Sequence, residues 1–303
     1  MQPLAVNSQP HPTNPSPATR RTYDLATAAA DYPDWEGAPQ RTLLLCTHPR
    51  SGSTLLGEAL HAAGGWGCPI EYFHRGFQPS LERLWGTADF PAYLRAVFRH
   101  RTDPSGTLAV KLFWHDVEEL CARLEPERHR LLIDSLAGDG AVESYQKVHE
   151  LLASVFPNPT FIYLVREDAL RQAVSGVIAT QTGVWRAIPA VQENSPLRDP
   201  AYDFERIKGG LAFGAYCRRH WEGYFVANRL APHRLTYEAL ASRFAEVVRE
   251  LFTALGRPEA SVAVPRMRRQ ADARSEAMLL RFLREVKEAR APVPATTTPA
   301  LVT

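Results

Sequence analysis

Short apolar runs alternate along the chain with stretches whose apolar residues repeat at helical spacing. The first run, residues 42–46, precedes a helical pattern over residues 55–63 that stops at Gly64 and Gly65. Three later runs each precede another helical pattern: residues 108–113, 160–165 and 234–237. Strands that alternate with helices predict an α/β fold with a mostly parallel central sheet flanked by helices. In such sheets, ligands bind beyond the carboxyl ends of the strands.

Two longer helical patterns lie near the carboxyl terminus. Apolar residues on one face predict a single helix over residues 240–255, with Gly256 at its end. A second amphipathic pattern runs from Met278 to Val286. We expect this second helix to dock on the core or to form a contact in a homodimer, rather than to bind a membrane.

The two ends of the chain lack the pattern of a packed domain. Residues 1–21 form a Pro-rich leader, which we expect to be disordered because it has little capacity to form a helix or a core. Residues 291–303 form a tail rich in Pro and Thr, for which we expect the same. The sequence therefore predicts one domain over residues 22–290.

Composition places the chain among ordinary enzymes. Its 303 residues include 35 Lys and Arg against 33 Asp and Glu, a net charge of +2, so charge alone would not drive binding to nucleic acid or to a membrane. No apolar run reaches the ~18 residues of a membrane span. The four cysteines form no CxxC pair and no His cluster has zinc-ligand spacing, which predicts no metal site and a reducing, cytoplasmic location.

The loop after the first strand has the residues of an anion site. Residues 46–54 read Cys-Thr-His-Pro-Arg-Ser-Gly-Ser-Thr and lead directly into the first helix. A helix N-terminus offers unpaired N–H groups, Gly52 allows close backbone approach, and Arg50 supplies a full charge. Three hydroxyls add hydrogen-bond donors: Ser51, Ser53 and Thr54. The alternative is an ordinary strand-to-helix turn with a Ser cap.

The third strand ends at Arg166, and Ser175 lies about two helical turns further on. This arginine and serine resemble the 3′-phosphate site of sulfotransferases. A guanidinium makes bidentate contacts to a phosphate, and a hydroxyl completes the site. The alternative is that Arg166 forms a solvated ion pair with Glu167 or Asp168.

Together these motifs resemble a known family of enzymes. The stretch Pro-Arg-Ser-Gly-Ser-Thr-Leu at 49–55 resembles the 5′-phosphosulfate loop of sulfotransferases, and Arg166 with Ser175 resembles their 3′-phosphate site. Four further stretches match in order, at 68–73, 106–114, 171–185 and 268–272. The combination resembles the mycobacterial-type trehalose 2-sulfotransferase family of carbohydrate sulfotransferases, over residues 42–285. This resemblance implies a P-loop-like fold and 3′-phosphoadenosine 5′-phosphosulfate (PAPS) as co-substrate, with no permanently bound cofactor.

The resemblance also implies roles for individual residues. Glu71 is expected to be the general base, with a pKa raised by partial burial, while Arg50 and Lys111 stabilise charge on the transferring group. The expected donor-binding residues are Arg50, Ser51, Gly52, Ser53, Thr54, Arg166, Ser175, Arg268 and Arg269. The implied acceptor is the 2-hydroxyl of trehalose, with other sugars and glycolipids left open.

Each assignment has an alternative. Glu71 would otherwise pair with Arg75 at the surface, and Lys111 would be exposed at a strand end. The basic run 266–269 would be a solvated face. Tyr72, Phe73, Trp114 and Trp185 would pack in the core rather than stack on a sugar, and His48 and His74 are the next candidates for a base.

Two other functions remain open on the sequence alone. An ATP-dependent small-molecule kinase would be expected to carry a lysine in the loop and a magnesium-binding carboxylate after a strand, and neither is clear here. A noncatalytic nucleotide-binding protein would keep the phosphate contacts but would have no need of Glu71.

Overall fold

A four-stranded parallel sheet forms the centre of the molecule. The computed structural model describes residues 23–125, 127, 141–188, 198–267, 270 and 272–290. Its strands lie in the order β2-β1-β3-β4, and all neighbours are parallel. Their bounds are β1 Arg41–Thr47, β2 Thr107–Phe113, β3 Pro159–Val165 and β4 His233–Thr236. The predicted α/β fold with a parallel sheet is confirmed.

Helices connect these strands and cover the sheet. Two 3₁₀ turns, Asp24–Ala26 and Ala28–Ala30, precede β1. Within the described residues the first five α-helices are α1 Ser53–Ala63, α2 Gln78–Trp85, α3 Phe90–Arg101, α4 Trp114–Leu124 and α5 Ala141–Val155. The remainder are α6 Ala169–Thr182, α7 Phe204–Ala227, α8 Tyr237–Ser242, α9 Phe244–Ala254 and α10 Ala273–Arg290.

Both faces of the sheet are buried, which explains the continuous apolar runs. Along β1, Leu44 and Cys46 join one hydrophobic cluster, while Leu43 and Leu45 join another. Side chains alternate between the two faces of a strand, so a strand covered on both sides needs apolar residues throughout.

The helix predicted over 240–255 is instead two helices, α8 and α9, and this prediction was wrong. They meet at Arg243, whose φ of −133° and ψ of 46° are not helical. Leu240 on α8 and Val248 on α9 nevertheless pack in the same cluster. The apolar periodicity therefore continues across a break that it does not reveal.

The C-terminal helix docks on the core, one of the two roles expected for it. Met278, Leu279 and Phe282 on α10 form a buried cluster with residues of α6 and α7. None of the described helices combines the length and apolar character that a membrane crossing requires. The leader 1–21 and the tail 291–303 lie outside the described residues, so the single domain over 22–290 stays a prediction.

The order of the strands positions the site. From β1 the chain crosses to β2 on one side, whereas from β3 it crosses to β4 on the other. The crevice beyond the carboxyl ends of β1 and β3 is therefore the switch point where ligands bind in open α/β sheets. The two candidate anion motifs follow these two strands.

Candidate active site

The turn between β1 and α1 has an unusual backbone. Arg50 and Gly52 have positive φ angles of 68° and 81°. A Cβ on Gly52 would lie 2.8 Å from a ring carbon of Tyr237, so both the conformation and the space favour glycine. Gly52, Ser53 and Thr54 line a cavity at the start of α1, where backbone N–H groups lack partners within the helix.

Ser51 differs from the other loop hydroxyls. Its Oγ donates to the carbonyl of His48 at 2.6 Å and lies 2.5 Å from Thr47 Oγ1. The side chain is fully buried. These contacts use the Ser51 hydroxyl within the loop itself, where it stabilises the turn.

The structure brings the two anion motifs together. Arg50 Nε donates to Ser175 Oγ at 2.9 Å, and Arg166 Nη1 donates to the Arg50 carbonyl at 3.1 Å. Arg50 also donates to the carbonyl of Trp185 and to Oε1 of Gln270. Arg50, Arg166 and Ser175 thus lie side by side across 125 residues of sequence.

This cluster lines a cavity that is rich in arginine side chains. The cavity has a volume of about 700 Å³, within the range of ligand sites. Five arginines line it: Arg50, Arg166, Arg171, Arg186 and Arg274. Burial, together with the nearby charges of Arg166 and Arg186, lowers the pKa of Arg50 to about 10. Mutual repulsion of this kind is relieved by a bound anion.

Arg166 does not form the alternative ion pair with Asp168. Asp168 pairs with Arg171, whose Nε lies 2.9 Å from Oδ2. The guanidinium of Arg166 instead lies over the ring of Tyr237, 4.5 Å from its centroid. Arg166 is 9% exposed, and burial lowers its pKa. Arg268 and Arg269 lie outside the described residues.

Glu71 and Lys111 form a buried pair beside the loop between β1 and α1. Lys111 Nζ lies 3.1 Å from Glu71 Oε1 and donates to Thr54 Oγ1 at 3.3 Å. Lys111 is 1% exposed, so it is not the exposed strand end of the alternative. Arg75 pairs with Glu119 at 2.5 Å rather than with Glu71.

The expected direction of the Glu71 pKa shift was wrong. Burial alone raises the pKa of this carboxyl, but the charges of Lys111 and Arg186 outweigh burial and lower it to about 2. The sequence argument considered the burial of Glu71 but not the charges of Lys111 and Arg186 beside it. In the structure Glu71 is an ionised carboxylate at neutral pH, and burial lowers the pKa of Lys111.

Sequence reasoning did not identify Arg186, a charged residue of this site. Arg186 lies in the cavity with Nη2 at 3.5 Å from Glu71 Oε2, although the two are 115 residues apart. Its only sequence signal is its place directly after the family-like stretch 171–185. Of the four aromatic candidates, Tyr72, Phe73 and Trp114 are buried in the core, while Trp185 is 44% exposed and lines the cavity.

A group of possible metal ligands lies nearby. Single ligand atoms of His74, His115 and Asp116 fall within 4.8 Å of one another. His74 Nδ1 accepts from the Gly76 N–H, and Asp116 accepts from the Phe113 N–H. These hydrogen bonds give both side chains structural partners, and the prediction that the chain has no metal site stays a prediction.

Comparisons with known proteins agree on one family. The family model described as Stf0 sulphotransferase matches residues 42–285, from β1 into α10. A trehalose 2-sulfotransferase of Mycolicibacterium smegmatis is 29% identical over 277 residues, covering 80% of this chain and 95% of the relative. A trehalose 2-sulfotransferase of Mycobacterium tuberculosis is 27% identical over 279 residues, covering 81% and 95%.

Proposed function

The chain belongs to the Stf0 sulphotransferase family and is a sulfotransferase, and on that premise we propose that it transfers the sulfuryl group of PAPS to the 2-hydroxyl of trehalose. One observation carries the donor assignment: Arg50 and Ser175, from the two predicted anion motifs, meet at 2.9 Å on the wall of one cavity. Similarity to two trehalose 2-sulfotransferases supports the acceptor.

The donor would span the two motifs. The N–H groups at the start of α1, with Ser53, Thr54 and Arg50, would hold the 5′-phosphosulfate. Arg166 and Ser175 would hold the 3′-phosphate, a group that AMP and ATP lack. Ser51 would contribute by holding the loop in shape.

The transfer is an in-line displacement at sulfur. A sugar oxygen forms a bond to sulfur while the bond from sulfur to the phosphate oxygen breaks, and the 3′,5′-bisphosphate leaves. Glu71 takes the proton of the attacking hydroxyl. Arg50 and Lys111 stabilise the charge that develops on the oxygens, so the protein contributes position and electrostatics.

Neither alternative function is favoured. The kinase requires a loop lysine, and the loop cation here is Arg50. A noncatalytic nucleotide-binding protein gives no reason for a buried carboxylate held at 3.1 Å from Lys111 beside the anion site.

Transfer of labelled sulfate tests the proposal directly. The full chain is incubated with PAPS labelled in the sulfuryl group and with trehalose, glucose, sucrose or a cell extract. We expect a labelled trehalose monosulfate whose sulfate is on the 2-hydroxyl by NMR. Label in another sugar or in a glycolipid would contradict the trehalose assignment alone, and no transfer to any acceptor would contradict the proposed function.

Location and assembly complete the proposal. We place the protein in the cytoplasm, which is supported by the buried thiols of Cys46, Cys68 and Cys217, none of which forms a disulfide. We also propose a homodimer, for which Leu280 and Leu283 on α10 offer exposed apolar surface at 62% and 49%. Sedimentation at micromolar concentration decides between monomer and dimer.

A further inference from the structure

Each oxygen of the Glu71 carboxylate faces its own cation. Lys111 on β2 lies 3.1 Å from Oε1, and Arg186, which follows α6, lies 3.5 Å from Oε2. The side chains of Glu71 and Arg186 are only 7% and 12% exposed. At such burial, water screens charge weakly, so both cations act strongly on the carboxylate.

Aromatic rings hold Arg186 in this position. Its guanidinium lies 4.4 Å from the ring centroid of Tyr23 and 4.8 Å from that of Phe77. Cation–π contacts of this length are strongest where water is excluded. Within the described part of the chain, Arg186 Nε has no hydrogen-bond partner. The two rings and Glu71 therefore set the orientation of the guanidinium.

Tyr23 is itself anchored. Its hydroxyl donates to Glu58 Oε1 at 2.8 Å, and Arg266 donates to the same oxygen at 2.9 Å. Tyr23 precedes the region matched by the family, which begins at residue 42. A segment before the first strand thus contributes a ring to the environment of the base.

Lys111 makes a second hydrogen bond, where the loop after β1 enters α1. It donates to Thr54 there as well as to Glu71. The anionic oxygens of a donor bound at that loop would attract this ammonium away from the carboxylate. Glu71 then depends on its other cation to stay ionised in a buried site.

We propose that Arg186, held between the rings of Tyr23 and Phe77, is a positioning residue. It keeps the Glu71 carboxylate ionised and in place for the acceptor hydroxyl while Lys111 interacts with the donor. This inference rests on the proposed function, because it assigns Arg186 to the same reaction. It differs from a catalytic role, since Arg186 acts through Glu71.

The remaining titratable groups that the structure describes near Glu71 do not supply this charge. They are Tyr23 before β1, His74 on the same segment as Glu71, and Asp116 on α4. Burial raises the pKa of Tyr23 and of Asp116 and lowers the pKa of His74. Each of the three is shifted towards its neutral form, which leaves Lys111 and Arg186 as the compensating charges.

The test compares Arg186→Gln, Arg186→Lys and the wild type. For Arg186→Gln we expect kcat to fall by about tenfold or more because the carboxylate is no longer held in place, and the acid limb of kcat/KM to move up by at least about one pH unit because one compensating charge is lost. The Kd of the 3′,5′-bisphosphate should change less than about twofold. Arg186→Lys should restore part of kcat. Arg206→Gln is the matched control, since Arg206 on α7 is exposed and pairs with Asp203, the residue that caps this helix.

A titration separates this inference from the proposed function. The ¹³C carboxyl resonance of Glu71, assigned with Glu71→Gln, reports its pKa in the ligand-free protein whether or not transfer occurs. A pKa that rises in Arg186→Gln supports the inference even if the acceptor is wrong. An unmoved pKa overturns it even if trehalose is sulfated. A loss confined to bisphosphate affinity also overturns it, because Arg186 would then bind donor.

Two further variants, both at Tyr23, control for a loss of folding stability in Arg186→Gln. If Arg186→Gln melts at a much lower temperature, Tyr23→Leu removes one ring and leaves the arginine, whereas Tyr23→Phe keeps the ring. We expect the Glu71 pKa to rise in Tyr23→Leu and to stay near the wild-type value in Tyr23→Phe. Equal values in the two variants contradict the role of the ring. In the double variant Glu71→Gln with Arg186→Gln, the loss in kcat should not exceed that of Glu71→Gln alone.

Discussion

At the scale of single residues, the two halves of the site differ in how charge is compensated. Glu71 is one carboxylate beside two cations, at 3.1 Å and 3.5 Å. Arg50 donates to a hydroxyl, a carbonyl and an amide oxygen, all of them neutral acceptors. Within the described residues, the hydrogen bonds of Arg50 thus go to neutral acceptors, whereas Glu71, the proposed base, is already held ionised.

Replacing Glu71 by Gln tests the base. The change keeps the shape of the side chain, and general bases typically contribute ~10²–10⁴-fold in rate, so kcat should fall by that order with little change in bisphosphate Kd. The pKa of Glu71 is lowered to about 2 from 4.5, so the carboxylate is ionised above pH 4.5 and loses its charge only as the pH falls towards 2. The wild-type acid limb of kcat/KM should lie below pH 4.5. Near-normal turnover of the variant would pass the role to His48 or His74.

Replacing Arg166 by Ala tests the 3′-phosphate assignment. Loss of a desolvated charge pair costs on the order of 2–5 kcal/mol, so the 3′,5′-bisphosphate should bind far more weakly. 5′-AMP lacks the 3′-phosphate, and its affinity should hardly change. Calorimetry with both nucleotides measures this difference. An equal loss for both would show that Arg166 does not face the 3′-phosphate.

The family resemblance predicted Arg50, Arg166 and Ser175 as neighbours in one site, and the fold brings them together because both motifs follow parallel strands that end at the same edge. Arg186 and Tyr23 could not be predicted in this way. Each is adjacent to Glu71 or to its partner only through the folded chain, and neither belongs to a local pattern. The direction of the Glu71 pKa shift was predicted wrongly for the same reason, since it depends on Lys111 and Arg186, which are distant in sequence.

At the scale of elements, the turn into α1 fixes the geometry of the proposed anion site. The sequence indicated this turn through its glycine and hydroxyls, whereas the break between α8 and α9 escaped prediction because both helices present apolar residues to one cluster. The same α8 begins with Tyr237, whose ring occupies the space above Gly52. The loop and α8 are therefore packed as a unit.

Substitution of Gly52 by Ala tests this packing. Gly256 has the same φ of 81°, and no atom lies within 4 Å of the position that a Cβ would take there, so Gly256→Ala measures the cost of left-handed backbone alone, about 1–2 kcal/mol. Gly52→Ala adds the contact at 2.8 Å with Tyr237 and should lower the free energy of unfolding further. It should also weaken bisphosphate binding, which Gly256→Ala should not. Equal unfolding free energies and equal affinities in the two variants would contradict the close packing.

At the scale of the whole molecule, the strand order β2-β1-β3-β4 places the ends of β1 and β3 next to each other and sends the chain away on both sides. One nucleotide with a phosphate at each end of its ribose would therefore bridge segments that are far apart in sequence. A ligand that contacts the β1–α1 loop, α6 and the chain near Gln270 would hold these three segments together. It could do so only in the folded protein, where the segments are close.

Ligand-dependent melting tests this bridging. A ligand that binds only the folded protein stabilises it by RT ln(1 + [L]/Kd), about 2.7 kcal/mol at a hundredfold excess over Kd, so at equal concentration the tighter ligand gives the larger shift. We expect the 3′,5′-bisphosphate to raise the melting temperature by several degrees, far more than 5′-AMP, which engages only the loop, or ATP with magnesium, which lacks a 3′-phosphate. The Arg166→Ala variant should lose this advantage and respond to the bisphosphate and to AMP alike. An equal or larger shift with ATP and magnesium in the wild type would favour the kinase and contradict PAPS as the donor. ATP lacks a 3′-phosphate, so it can stabilise the protein as much as the bisphosphate only if Arg166 and Ser175 do not bind a 3′-phosphate.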